Sequence, residues 1–127
     1  MGEKPLILVV DDERDIAEIV AELLGGEGYR TVRAYDGQEA LTALGQHRPD
    51  AIVLDIKMPV MDGLEVLRRL RKDPDYLRLP VIVLTATRVI TDLQNEFRQL
   101  GVYRWISKPF EPDHLIATVR SALGDAA

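Results

Sequence analysis

Residues 6–15 read LILVVDDERD: five apolar residues run directly into two adjacent aspartates. An unbroken run of Leu, Ile and Val is typical of a strand buried on both faces, as in a parallel sheet. With Pro5, this first run is PLILVV (5–10). Comparable runs are AIVLDI (51–56) and PVIVLTA (80–86), and weaker ones are YRTVRA (29–34) and VYRWIS (102–107). The sequence therefore predicts five strands, the first of which ends in concentrated negative charge.

Helical patterns separate these strands. Apolar residues at helical spacing from Ile16 to Leu24 predict the first helix. Asp36 with Glu39, and Asp62 with Glu65, predict the starts of the second and third, because Asp followed three residues later by Glu is typical of a capping box. The fourth and fifth are indicated by Leu93, Phe97 and Leu100, and by Leu115, Ile116, Val119 and Leu123. Alternating strands and helices predict an α/β protein with a doubly wound sheet.

Length and composition restrict the class of protein. We expect one domain, residues 1–127. The chain has no cysteine, which excludes disulfides, thiolate zinc sites and a Cys nucleophile. Its net charge of −5 argues against direct binding of nucleic acid. No apolar run approaches the roughly 20 residues of a membrane helix and no secretory signal is visible, so we expect a cytoplasmic protein without membrane contact.

Polar residues stand at the carboxyl ends of four predicted strands. Asp11 and Asp12 follow the first, Asp55 ends the third, Thr85 ends the fourth and Lys108 follows the fifth. The carboxyl ends of the strands form the working edge of a doubly wound sheet, so we expect these residues to converge. Crowded carboxylates repel one another, and burial penalises each charge further. Mg²⁺, a hard cation that prefers oxygen ligands, or the ammonium group of Lys108 can keep them ionised.

Asp55 is the best-placed nucleophile in this set. It ends a buried strand, stands apart from the acidic pair and precedes the turn KMPVMDG (57–63). Aspartate attacks phosphorus in aspartyl-phosphate chemistry. A metal ion and Lys108 would offset the charge of an entering phosphoryl group, and Thr85 would donate a hydrogen bond to one of its oxygens.

Four motifs, in this order and spacing, resemble the receiver domain of bacterial two-component response regulators. They are VVDDE (9–13), VLDIKMPVMDG (53–63), VIVLTA (81–86) and SKPF (107–110). The resemblance covers about residues 5–123 and implies a flavodoxin-like (βα)5 fold, with a five-stranded parallel sheet in the order 2-1-3-4-5.

The resemblance also implies a role for each polar residue of the site. Asp55 would be the phosphoacceptor, and Lys108 would pair with the phosphoryl group. Mg²⁺ would be bound by the carboxylates of Asp12 and Asp55 and by the backbone carbonyl of Lys57, while Asp11 would act through a metal-bound water.

Further positions match the family's switch and kinetic residues. Thr85 would be the switch hydroxyl and Trp105 the switch aromatic, although Trp is bulkier than the usual residue there. Lys57 and Thr87 occupy positions that tune the rate of dephosphorylation, and the peptide bond to Pro109 would be cis.

The implied function is signal transduction in a phosphorelay. A sensor histidine kinase or phosphotransfer protein would donate the phosphoryl group. The face of the fourth helix, fifth strand and fifth helix would then change shape and bind an output partner or domain. Such a protein is not an enzyme on external substrates, since it catalyses only its own phosphorylation and dephosphorylation.

Other interpretations remain open at this point. A flavin or nucleotide binder lacks its phosphate-binding loop here, and a Mg²⁺-dependent phosphatase would carry an acid where Lys57 stands. A degenerate receiver would serve only as a binding module. Asp11 or Asp12 can be a helix cap. Trp105 can pack in the core or form a partner interface, and the chain is a stand-alone regulator or a piece of a longer protein.

Overall fold

The structure, a computed structural model, describes residues 3–126, with side chains described for residues 3–124. Its strands are β1 (Leu6–Val10), β2 (Arg30–Ala34), β3 (Ala51–Leu54), β4 (Val81–Ala86) and β5 (Arg104–Lys108). Its helices are α1 (Arg14–Gly26), α2 (Gly37–Gln46), α3 (Gly63–Leu70), α4 (Thr87–Gln99) and α5 (Pro112–Ala126). Within residues 3–126, no helix is both long enough and apolar enough to cross a lipid bilayer.

The five strands form one parallel sheet in the order β2-β1-β3-β4-β5, which confirms the predicted fold. Its register aligns the carboxyl ends of β1 and β3, because Val10 pairs with Leu54. The next residues along the chain, Asp11 and Asp55, therefore leave the sheet side by side. The Asp55 N–H donates to the Val10 carbonyl at 3.0 Å, so pairing continues one residue past the strand. Leu54 also pairs with Val83, and β4 continues for three residues beyond it.

Helices cover both faces of the sheet and bury two apolar layers. Leu8 and Val10 point into a layer with α2, α3 and α4 that contains the buried Phe97. Ile7 and Val9 point into the opposite layer, against α1 and α5. Because successive side chains of a strand alternate between faces, the central strands are apolar throughout, which explains their unbroken Val, Ile and Leu runs.

The predicted starts of α2 and α3 are confirmed. Only in α2 does the glutamate side chain accept a hydrogen bond from a backbone N–H that precedes the helix. Asp36 accepts a hydrogen bond from the Glu39 N–H at 2.8 Å, and Glu39 in turn accepts one from the Tyr35 N–H at 2.8 Å. Asp62 accepts from the Glu65 N–H at 3.0 Å, but the Glu65 carboxylate pairs with an arginine of its own helix. The aspartate is thus the element common to both caps.

The connection from α3 to β4 contains a 3₁₀ helix, Pro74–Tyr76, which the apolar pattern did not predict. Asp73 caps it and proline begins it, so the Asp-Pro pair was the available signal. Arg71 fixes this connection by donating hydrogen bonds to the carbonyls of Leu100 at 2.7 Å, Tyr76 at 2.8 Å and Leu79 at 2.9 Å.

Gly63, the first residue of α3, allows two segments of backbone to approach closely beside Asp55. Its N–H donates to the Ile56 carbonyl at 2.7 Å. A Cβ atom at this position would lie 2.1 Å from the Asp55 carbonyl oxygen. Only glycine fits there without displacing the backbone that carries Asp55.

Replacement of Gly63 by alanine should therefore lower the free energy of unfolding by about 1–3 kcal/mol, as in other overpacked sites. The matched control is Gly45→Ala in α2, where a new Cβ meets nothing within 4 Å. That variant should be more stable than the native chain by about 0.5–1 kcal/mol, because alanine is the better helix former. Urea unfolding measures both changes, and a Gly63→Ala variant of native stability would contradict the close approach.

Candidate functional site

Three carboxylates meet where β1 and β3 end. Asp11, Asp12 and Asp55 each place one oxygen so that the three atoms lie within 4.8 Å of one another. Asp11 is 3% exposed and Asp55 is 6% exposed, whereas Asp12 faces solvent. The parallel register puts them together, since each follows the carboxyl end of a strand in the same sheet.

The ammonium group of Lys108 lies between the buried pair. Its Nζ atom is 2.8 Å from Asp11 Oδ2 and 3.1 Å from Asp55 Oδ2. It also lies 3.4 Å from Glu13 Oε1, a third partner that the sequence analysis did not identify. Glu13 stands within the VVDDE motif, so its place beside the acidic pair was the available signal.

The electrostatics of this group leave an excess of negative charge. Burial acts to lower the pKa of Lys108, but the hydrogen bond to Asp11 and the charges of Asp55 and Asp11 outweigh it and raise that pKa above its usual value. Burial raises the pKa of Asp11, against hydrogen bonds from Lys108 and the Glu13 N–H. One permanent ammonium thus faces three carboxylates of the cluster.

Backbone N–H groups hold the remaining oxygens of the buried pair. Asp55 Oδ1 accepts from the Ile56 N–H at 2.7 Å, and Asp11 Oδ1 accepts from the Glu13 N–H at 2.9 Å. The N-cap of α1 is Glu13, whose side chain makes no cap hydrogen bond. Neither Asp11 nor Asp12 is therefore the N-cap residue, and their side chains are directed to the cluster.

A cavity of about 280 Å³ opens beside Asp55. Its lining includes the predicted switch residue Thr85 as well as charged groups from three loops: Asp12, Glu13, Asp55, Lys57, Thr85, Ala86, Val89 and Lys108. Thr85 is 1% exposed, while Lys57 stands at the solvent-facing rim. Acidic residues, two lysines and a threonine thus line one small cavity.

The donor set fits a hard divalent cation. The cluster offers three carboxylate oxygens, one of them solvent-exposed, and Mg²⁺ takes oxygen ligands while retaining several waters. Asp12 has no part in the ion pairs of Lys108 described above, so its carboxylate remains available. A cation here would offset the charge that Lys108 leaves uncompensated.

The other predicted site residues lie along α4 and β5. The side-chain hydroxyls of Thr87 and Ser107 are hydrogen-bonded to each other, which joins the first turn of α4 to β5. Trp105 is half-buried, and its ring centroid is 5.9 Å from that of Phe97. Trp105 thus contacts the core and also reaches solvent. The Lys108–Pro109 peptide bond is cis.

The family comparison agrees with this arrangement. The family model described as the response regulator receiver domain matches residues 7–120. The polar-differentiation response regulator DivK of Brucella anthropi is 38% identical over 120 residues, which cover 94% of this chain and 97% of DivK.

Solved structures give the same result. The chemotaxis response regulator CheY4 of Vibrio cholerae superposes with a TM-score of 0.86 at 34% identity, covering 94% of this chain and 98% of CheY4. NtrX of Brucella abortus superposes with a TM-score of 0.88 at 36% identity, but the match covers 97% of this chain and 27% of NtrX. The match to the family model, the relatives and the shared fold confirm the resemblance read from the four motifs: this chain belongs to the receiver domain family of two-component response regulators.

Proposed function

We propose that Asp55 accepts a phosphoryl group in the presence of Mg²⁺, and that phosphorylation changes a protein-binding surface formed by α4, β5 and α5. The donor would be a sensor histidine kinase or a phosphotransfer protein. The observation that carries this proposal is the position of Lys108, hydrogen-bonded to both Asp11 and Asp55 at the edge of one cavity. A cation in this position is suited to an acceptor whose product is an anion.

Transfer of the phosphoryl group to Asp55 forms one bond to phosphorus and breaks another. An Asp55 carboxylate oxygen forms a bond to phosphorus while the bond from phosphorus to the donor's imidazole nitrogen breaks, and the electron pair stays on that nitrogen. Lys108 donates to the phosphoryl oxygens as they enter, and Thr85 donates to another. When bound, Mg²⁺ would be held by Asp12, Asp55 and the Lys57 carbonyl, with Asp11 acting through water, and would offset phosphoryl charge.

The same geometry favours self-modification over turnover of external substrates. Hydrolysis of the aspartyl phosphate requires a water positioned by an acid or base, and the residue two positions beyond Asp55 is Lys57. Lys57 lines the rim of the cavity, and an ammonium group donates hydrogen bonds but has no lone pair to take a proton from water. We therefore propose slow autodephosphorylation and no phosphatase activity on other molecules.

Contacts from the cavity to the proposed output surface support the switch. Thr85 ends the buried part of β4, and two residues later Thr87 begins α4 and is hydrogen-bonded to Ser107 of β5. A Thr85 hydroxyl drawn towards the phosphoryl group would pull on the start of α4, and the contact of Thr87 with Ser107 would pass this to β5. Trp105 lies on that strand, so its packing would respond.

Replacement of Asp55 by asparagine should abolish phosphorylation by acetyl phosphate with Mg²⁺, because the amide has no carboxylate oxygen to attack phosphorus. Intact-protein mass spectrometry detects the added phosphoryl group. Asp113→Asn, at an exposed position in α5, is the control and should be labelled as well as the native chain. Undiminished labelling of the Asp55→Asn variant would move the acceptor elsewhere.

Mg²⁺ should raise the melting temperature, because an ion that binds only the folded state stabilises it by about 2.7 kcal/mol at one hundred times its dissociation constant. Asp12→Asn should weaken this effect by removing a ligand. Asp15→Asn, an exposed carboxylate of the first turn of α1, should leave the effect unchanged. Melting curves over a Mg²⁺ titration measure the shift, and a native chain indifferent to Mg²⁺ would refute the metal site.

The fluorescence of Trp105, the sole tryptophan, should change when Mg²⁺ and beryllofluoride are added together. The expected cause is repacking of its ring against Phe97 as the surface switches. The Asp55→Asn variant should show no change, since the phosphoryl mimic needs that carboxylate. A flat signal from the native chain would contradict the aromatic switch while leaving phosphorylation untouched.

A further inference from the structure

The flank of α4 that faces β5, the edge strand of the sheet, differs in charge from the rest of the helix. Two contacts identify the flank of α4 that faces β5: the hydrogen bond of Thr87 to Ser107, and the guanidinium of Arg98 over the Trp105 ring. At helical spacing, this flank comprises Thr87, Thr91, Gln94 and Arg98. It contains no carboxylate, although the chain has 21 acidic and 16 basic residues. The acidic residues in the middle of α4, Asp92 and Glu96, belong to its other flank.

Two arginines beside β5 are held on aromatic rings. The Arg98 guanidinium carbon lies 5.5 Å from the centroid of the Trp105 ring, and that of Arg104 lies 4.5 Å from the centroid of the Tyr103 ring. Such contacts are attractive and restrict the side chain. Both arginines are nevertheless exposed. Their guanidinium groups are therefore partly ordered while remaining accessible to a ligand.

Neither guanidinium has a carboxylate partner among residues 3–124. Arg98 donates to the neutral side chains of Asn95 at 3.2 Å and Gln94 at 3.3 Å, and Arg104 donates to the Tyr103 carbonyl at 2.9 Å. Arginine has five N–H donors, so most remain available on each. Other arginines of the described chain do form ion pairs with carboxylates: Arg30, Arg33, Arg48, Arg68, Arg69 and Arg120.

The two guanidinium groups flank the edge of β5 on opposite sides. Trp105, under Arg98, packs with the apolar layer beneath α4, and the next residue, Ile106, packs with the layer beneath α5. Because strand side chains alternate, Arg104 lies on the same side as Ile106. A chain segment lying along the edge of β5 would therefore meet one arginine on each side.

We propose that this surface, defined by Arg98, Arg104, Trp105 and Tyr103, binds an acidic segment of a partner protein. Carboxylates of that segment would pair with the two guanidinium groups, for which arginine is well shaped. Binding itself needs only the contacts described above. A link between this binding and phosphorylation rests on the proposed function, in which Trp105 is the switch aromatic. The link would arise because Arg98 stacks on the Trp105 ring.

Charge complementarity favours an acidic peptide segment over other anionic occupants. Nucleic acid binding needs an extended basic surface, whereas here two arginines stand on a protein of net charge −5. A second copy of the chain would bring the same net negative charge and the same two arginines to the contact. An acidic segment supplies the missing carboxylates without either disadvantage.

The test uses an acetylated, amidated octapeptide of alternating glutamate and alanine, titrated into the ¹⁵N-labelled chain at low salt. We expect saturable shifts of the Trp105 indole N–H and of the Nε–H signals of Arg98 and Arg104, with a parallel change in tryptophan fluorescence. The same peptide with glutamine in place of glutamate should give none of these shifts. Shifts absent with the acidic peptide, or equal with both peptides, would overturn the proposal.

Variants separate a specific contact from general charge attraction. The double variant Arg98→Gln/Arg104→Gln should bind the acidic peptide about tenfold or more weakly, as expected for two charge-assisted contacts. Arg78→Gln, an exposed arginine before β4, should bind within about twofold of the native chain, because only a screened long-range charge is lost. Urea unfolding checks that the double variant is folded. Equal losses in the double variant and Arg78→Gln would refute the surface.

Further measurements distinguish an acidic segment from DNA or a second copy of the chain, and peptide binding from the proposed phosphorylation. Duplex DNA that produced the same shifts, or sedimentation showing a dimer that the arginine substitutions dissociate, would overturn the acidic-segment assignment. Acetyl phosphate labelling of the native chain is measured on the same sample. Labelling without peptide binding defeats this inference alone, and peptide binding without labelling defeats the proposed phosphorylation alone.

Discussion

The shared ion pair of Lys108 with Asp11 and Asp55 is the interaction on which the site depends. Two carboxylates, 3% and 6% exposed, lie at the ends of neighbouring strands, and their separate burial as anions would be strongly unfavourable. The ammonium group brings the end of β5 to the ends of β1 and β3 and makes the arrangement tolerable. It does not neutralise the cluster, and this remaining negative charge is what suits the site to a divalent cation.

Backbone hydrogen bonds and a close backbone approach fix the position of Asp55. The N–H of Asp55 continues the pairing of β3 with β1, and its carboxylate accepts a hydrogen bond from the next N–H along the chain. Gly63 brings the start of α3 against the same peptide unit, at a separation that no side chain would allow. Asp55 is thus held by rigid elements on two sides, with its cavity open on the third.

A continuous series of contacts leads from this cavity to the outer surface. Thr85 lines the cavity, and Thr87, at the start of α4, is hydrogen-bonded to Ser107 of β5. Trp105 of the same strand packs on Phe97 and lies under the guanidinium of Arg98. The proposed switch requires that these contacts have two arrangements, one of which is favoured when a charged group enters the cavity. The series ends at two exposed arginines, Arg98 and Arg104, in a protein of net charge −5.

The strands and the helix starts were open to prediction because each depends on residues close together in the chain. The acidic cluster was predicted from the fold, since Asp11, Asp12 and Asp55 follow the carboxyl ends of two predicted parallel strands. Unbroken apolar runs predicted β1, β3 and β4, and Asp36 and Asp62 marked helix starts through contacts that span three residues. Motif spacing then predicted the family, and the family match confirmed it. The 3₁₀ helix escaped prediction because its signal is a single Asp-Pro pair without an apolar period.

Tertiary structure alone decided the contacts between distant parts of the chain. Glu13 and Lys108 are separated by 95 positions, and Arg71 reaches a carbonyl 29 positions away, so no local pattern records either contact. The same holds for the carboxylate-free flank beside β5, which exists only because α4 packs with Arg98 above Trp105. Local sequence determines which element a residue enters, since backbone preference and apolar period act over a few residues. Which charges become neighbours is decided by sheet register and helix packing, which act over the whole chain.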